Sequence, residues 1–254
     1  MTLLAVERIK LLSTRSPWWG TLIALALTTG FTALTVAVSD NIPTTVATTQ
    51  FGYTFGLAVI MVLAALAVTT EYRFSTIRTT FQAIPNRTAA LLAKAAVVGV
   101  LALVIGEVAA FASWGVSMLI RPEADLALNS TADWINVAGV GPVYALAAVL
   151  AVAVGILVRH SAGAISILLI YFLAAENLVQ LIPNIGDDIY KWLPFNVANK
   201  FLTGDGASNA GRAAEAGPRL STAPLSPGWA LAYFAGIAVA LLAVAVFTAN
   251  KRDA

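Results

Sequence analysis

The stretch EYRFSTIRTTFQAIPNRTAALLAK, residues 71–94, lies between TFGLAVIMVLAALAVTT (54–70) and AAVVGVLALVIGEVAAFASWGVSML (95–119). A basic, half-apolar segment thus separates two runs whose only charged residue is Glu107. A helix needs roughly 20 residues to cross ~30 Å of hydrocarbon, and each flanking run is close to that length or beyond it. Neither alternates apolar with polar residues, as strands of an outer-membrane barrel must. The reading that decides the fold is two membrane-spanning helices joined by a short connector on one side of the bilayer.

Outward from there, apolar runs of spanning length recur near 18–38, 52–70, 95–119, 138–158, 162–182 and 229–249. The chain is 59% hydrophobic and 11% charged, with a mean hydropathy of +0.83. Soluble domains carry roughly 25% charged residues, so lipid is the expected solvent. The expected class is an all-α integral membrane protein with six transmembrane helices. The first run is about twice as long as a signal-peptide core and lacks a convincing small-x-small cleavage site, so it is expected to be retained. No cysteine is present, which removes disulfides and thiolate chemistry. No internal repeat is evident. Trp18, Trp19 and Trp229 fall at span ends, where aromatic belts sit.

Lys and Arg set the expected orientation. Arg8, Lys10, Arg15, Arg73, Arg78, Arg87, Lys94, Arg159, Lys251 and Arg252 fall on one side of a six-span layout. Arg121, Lys191, Lys200, Arg212 and Arg219 fall on the other, together with Asp40, Glu123, Asp125, Asp133, Asp187, Asp188, Asp205 and Glu215. Both termini and the 71–94 connector are therefore expected to be cytoplasmic. The longest connection, 183–228, is external: IYKWLPFNVANKFL (189–202) reads as short interfacial helices with Tyr190 and Trp192 at headgroup level, and 204–224 reads as flexible.

Within the connector, Phe74, Ile77, Phe81 and Ile84 recur at helical spacing, and Pro85 stops the pattern. Residues 72–84 are thus expected to form an amphipathic helix parallel to the membrane. Such a helix anchors the chain in the interface, or it presents its Arg and Thr side chains to a cytoplasmic partner.

Glu71-Tyr72-Arg73, Thr76-Ile77-Arg78-Thr79-Thr80, Ala83, Pro85, Arg87 and Ala93-Lys94 resemble the signature of type 2 ATP-binding-cassette exporter permeases, especially those of high-GC Gram-positive bacteria (actinobacterial-like). The opening VERIKLLSTRSPWW (6–19) resembles the start of the same family. One departure is Ser75, where glycine is expected. The resemblance implies a single permease domain over 1–254. It comprises an interfacial connecting helix (1–17), a coupling helix (72–84) between spans two and three, and an external loop with short helices (183–228). It assigns ATPase coupling to Glu71, Arg73, Phe74, Ser75, Thr76, Ile77, Arg78, Thr79 and Pro85. It also implies a bacterial plasma membrane location, two separate ATPase subunits carrying ATP and Mg, and a second permease copy or paralogue. Besides these partners only the lipid bilayer is expected, and no nucleic acid. The chain has no Gly-x-x-x-x-Gly-Lys-Ser/Thr phosphate loop. It is therefore expected to bind no cofactor or metal and not to be an enzyme itself.

Glu107, Glu176, Asn177 and Gln180 are polar groups inside apolar spans and are candidates for lining a path. A central carboxylate costs roughly 2.5–3.5 kcal/mol on insertion scales. It is expected to face protein, either as a path-lining group or as an interhelical hydrogen-bond partner. Two other readings remain: a proton-coupled secondary carrier using Glu107 and Glu176, and a membrane scaffold that does not transport. Carriers often have broken spans, and no break is legible here. Gly52 and Gly56 form a small-xxx-small pair suited to close helix packing. The single histidine, His160, sits in a turn and is expected to be solvated.

Overall fold

The computed structural model describes residues 3–38, 44–84, 86–204 and 220–252. Every regular element among them is helical. Six stretches are long and apolar enough to cross a membrane: Arg15–Val38, Ala47–Arg73, Arg87–Ile120, Thr131–Val158, Ser161–Val179 and Pro227–Arg252. This is the architecture of a multi-pass membrane protein, and each stretch covers most of the corresponding run read from the sequence.

In chain order, α1 (Leu3–Leu12) precedes the first span, α2 (Arg15–Val38). A 3₁₀ turn at Ala47–Gln50 leads into α3 (Tyr53–Arg73), followed by the short α4 (Thr76–Ala83) and the long α5 (Arg87–Ile120). The fourth span is α6 (Thr131–Ala138) and α7 (Val140–Val158), joined at Gly139. The fifth is α8 (Ser161–Ile170), a π turn at Tyr171–Ala175 and α9 (Glu176–Val179). Two short helices, α10 (Gly186–Tyr190) and α11 (Pro194–Thr203), precede the last span, α12 (Pro227–Arg252). The fifth span is thus one continuous helix with a π turn inside it, a feature that periodicity does not register because a π turn changes backbone pairing without changing composition.

The core forms around α7, which packs against α3, α5, α8 and α12. Of its most apolar window 67% is buried, against 22% for the first span and 17% for the fifth. The first and fifth spans therefore carry the surface left to lipid or to another chain. Small residues bring the inner helices together. A methyl group on Gly56 would lie 2.0 Å from Thr28 Oγ1 and 2.3 Å from the Tyr144 hydroxyl, so α3 meets α2 and α7 at backbone distance there. The close packing expected of Gly52 and Gly56 is present, because Gly52 is equally tight against the Thr28 carbonyl. The Tyr144 hydroxyl donates to the Tyr53 carbonyl at 2.6 Å, so the buried tyrosine does not enter the core with an unmet donor.

One expectation is corrected. The connector helix does not span 72–84: α3 continues through Arg73, the chain turns at Phe74 and Ser75, and α4 begins at Thr76. The turn is made by Ser75 at φ 59°, ψ 11°, the left-handed conformation that glycine adopts most readily. Glycine is the residue that the family pattern led us to expect there. Of the two aromatic residues expected at headgroup level, Tyr190 is packed inside the protein at 7% exposure, while Trp192 is 47% exposed and lies tilted against Tyr233. His160 is exposed in its turn, as expected, and its Nδ1 also accepts the Gly163 N–H at 3.1 Å and caps α8. Pro85, Asp40 and most of the 204–224 segment lie outside the described residues.

Candidate functional site

The connector that opened the sequence reading becomes an eight-residue helix held against the end of the bundle. Ile77 and Thr80 are buried beneath it and Phe81 is half-buried, whereas Arg73, Phe74, Ser75, Thr76, Arg78 and Thr79 are exposed. Phe74 leaves the apolar stripe because it precedes the turn; it is 68% exposed, with the Arg73 guanidinium 5.5 Å from its ring centroid. Ile84 follows the helix in extended conformation. Asn86 then starts α5 by accepting the Ala89 N–H at 3.0 Å, so the chain re-enters the bundle within a few residues. A short helix fixed at both ends, with an apolar underside and a cationic, hydroxyl-rich outer side, is suited to protein recognition.

Beneath α4 lies a group of charges that the sequence reading did not connect. Glu7 is the only fully buried residue of α1. Its carboxylate meets Lys94 of α5 at 2.5 Å and Lys10 of its own helix at 2.8 Å. Glu71, in the last turn of α3, meets the same two lysines at 2.8 Å and 3.1 Å. Lys10 also donates to Thr80 of α4 at 3.1 Å. Four charges of balanced sign thus tie α1, α3, α4 and α5 into one knot. Burial alone raises the carboxyl pKa of Glu7, but the opposing attraction of Lys94 and Lys10 brings it below its ordinary 4.5. Burial likewise depresses Lys10, and Glu7 and Glu71 overcome that effect and hold its ammonium above 10.5.

This arrangement explains why the apolar residues of α1 form no stripe. The helix is anchored by an ion pair rather than by a greasy face. A signal was present in the sequence: Lys94 follows seven residues after the start of α5, within an apolar stretch of that helix, and a buried lysine requires an acidic neighbour. The neighbour was legible as a type and not as a position, because Glu7 is distant in the chain.

The intramembrane candidates separate. Glu176 is 3% exposed, and its two carboxylate oxygens accept the backbone N–H groups of Phe195 at 3.0 Å and Asn196 at 3.1 Å. Those donors belong to the first turn of α11, whose unsatisfied N–H groups and dipole favour an anion. Asn177 donates to the Leu173 carbonyl of its own span at 3.1 Å. Gln180 is exposed at the end of α9. Glu107 is half-buried and lies against the backbone of Gly141, where α5 meets α7. Its neighbours and those of Glu176 are different, so the two carboxylates form no common site. No group of three or more His, Cys, Asp or Glu side chains suited to a metal occurs among the described residues.

No family model matches the chain, and no curated protein matches it either. The functional reading therefore rests on the motif residues and on the geometry described above.

Proposed function

We propose that the chain is the membrane-spanning permease subunit of an ATP-driven exporter, forming half of a translocation path and coupled through α4 to a separate ATPase. The observation that carries this reading is the two-sided character of α4. Its underside is fixed to the bundle by Ile77 and Thr80, and its outer side offers Arg73, Phe74, Thr76, Arg78 and Thr79. The knot supports the same reading, because a displacement of α4 passes through Thr80 and Lys10 to α1 and, through Glu71 and Lys94, to spans two and three. On this reading both termini face the cytoplasm of a bacterial plasma membrane. The sparsely buried first and fifth spans are left for a second permease copy or paralogue. An apolar interior with few polar groups favours a hydrophobic or amphipathic cargo.

The test is co-purification with an ATPase and measurement of substrate-stimulated hydrolysis. Arg73→Glu and Arg78→Glu reverse charge on exposed positions and are expected to abolish stimulation without unfolding the chain. Hydrolysis and transport that survive both changes would refute the docking role. A proton-coupled carrier is the second reading, favoured by Glu107, a half-buried carboxylate without a hydrogen-bond partner among the described residues. Uptake or efflux driven by a pH gradient alone, and lost in Glu107→Gln, would decide for it.

A further inference from the structure

Where α1 lies against α5, the two helices leave a groove of about 520 Å³ between them. One wall is the face of α1 that carries Leu4, Arg8 and Leu12; the other is the stripe of α5 that carries Ala96, Val100 and Val104. Both sets recur every four residues, so each lies along one side of its helix. Arg8 is the only charged residue of the lining, and every other one is Ala, Val or Leu. No ion pair, hydrogen bond or ring contact of Arg8 occurs among the described residues. Glu7, next to it in the chain, is turned to the other flank of α1, where Lys94 and Lys10 hold its carboxylate. That ion pair also fixes α1 on α5 about two turns from the start of the third span, so the groove has firm walls. From Ala96 to Val104 it runs roughly 12 Å along α5, away from that end and into the apolar length of the span.

We infer that this groove holds an acidic phospholipid, with the phosphate on Arg8 and the acyl chains along Val100 and Val104. A guanidinium engages two phosphate oxygens at once, and its stem lies on apolar surface while its head reaches outward. The groove matches such a molecule in sequence of character: one cation at the end of a span, then hydrocarbon only. Leu4, Leu12, Val100 and Val104 are 39–83% of the way neither to burial nor to full exposure but half open, at 52%, 39%, 63% and 50%, so the groove faces whatever surrounds the helices along its whole length. A second copy of the chain fits less well. The sparsely buried first and fifth spans are the surfaces left for another chain, and no residue of either lines the groove. A free anionic amphiphile with one chain would cover only part of two apolar walls.

The chain alone suffices for the test, so its outcome is independent of any ATPase. Native mass spectrometry in neutral detergent would follow titration with dioctanoyl phosphatidylglycerol, dioctanoyl phosphatidylcholine and dodecanoate. Phosphatidylglycerol is expected to bind in preference to the other two. Arg8→Gln is expected to weaken it about fivefold, the effect of one arginine near a headgroup, and to leave phosphatidylcholine unchanged. Arg15→Gln removes another exposed charge, outside the groove, and is expected to leave binding as it was. Val100→Trp fills the groove, keeps Arg8 and should abolish binding of both lipids; it carries the test if Arg8→Gln melts early. Equal phosphatidylglycerol affinity in the wild type and either folded variant overturns the inference. So does equal binding of phosphatidylglycerol and phosphatidylcholine, displacement of the lipid by an equal concentration of dodecanoate, or a dimer of the chain that Val100→Trp dissociates.

Discussion

At one end of the bundle the carboxylates of buried Glu7 and partly buried Glu71 are met by lysines; at the other, the buried carboxylate of Glu176 is met by two backbone N–H groups. Both solutions remove a charge from water, and they differ in what they fix. The lysines join residues far apart in sequence and make α1, α3, α4 and α5 into one unit. The N–H groups belong to a single helix start, so Glu176 orients α11 against the fifth span and nothing else. A carboxylate held by cations ties several elements together, and one held by a helix terminus sets the angle of one element.

The largest expected effect breaks the first solution. Lys94→Met leaves two carboxylates with one partly exposed lysine between them, and unpairing a buried charge costs about 3–5 kcal/mol. Equilibrium unfolding in mixed micelles measures it, and Glu7→Gln in the Lys94→Met background should recover part of the loss. A Lys94→Met chain as stable as wild type would show that the knot contributes nothing. The same knot predicts a pH window. Glu7 has a depressed folded pKa, so its contribution is present above 4.5 and is lost as pH falls through the folded value. Lys10 has a raised one, so its contribution is present below 10.5 and is lost as pH rises through the folded value. Stability should be flat between these limits and fall outside them, with the acid limb reduced in Glu7→Gln.

The second solution predicts a smaller effect. Glu176→Leu strands two N–H donors and should cost about 1.5–3 kcal/mol, whereas Glu176→Gln keeps an acceptor and should cost about 1 kcal/mol. If Glu176→Gln is as damaging as Glu176→Leu, the negative charge matters and the capping account is incomplete. Gly56→Ala supplies a yardstick without charge: its methyl group must displace Thr28 or Tyr144, at roughly 1–3 kcal/mol. The smallest effect is a gain. Ser75→Gly relieves a left-handed residue and should stabilise the α3–α4 turn by about 1 kcal/mol. A loss of stability would mean that the Ser75 side chain contributes a contact outweighing its backbone strain.

The contrast also explains what could be read from the sequence. The six spans were legible because apolar length is a local property that survives any packing. The existence of a helix between spans two and three was legible from Ile77 and Phe81, but its first residue was not. Nothing between Arg73 and Thr76 is a helix breaker, and the turn depends on Ser75 accepting a conformation that its side chain disfavours. The knot was not legible as a unit, since Glu7, Glu71 and Lys94 are far apart in the chain and only the assembled helices bring them together. Glu176 was recognised as a carboxylate in need of a partner. That the partner is the start of α11 follows from where Pro194 begins that helix, which hydropathy does not register.

The π turn at Tyr171–Ala175 has a consequence for aim. An α-helix advances by a fixed rotation per residue, 3.6 residues to the turn. A turn that takes in an additional residue lets the segment beyond it point away from the direction set by the segment before it. Ile167, Ile170 and Leu173 can therefore remain on the outward side of the fifth span while Glu176, a few residues later, is swung inward to α11. One surplus residue works here as an index notch, and shortening the chain by a single position inside that turn would swing the carboxylate off its target while leaving the greasy flank of the helix where it is.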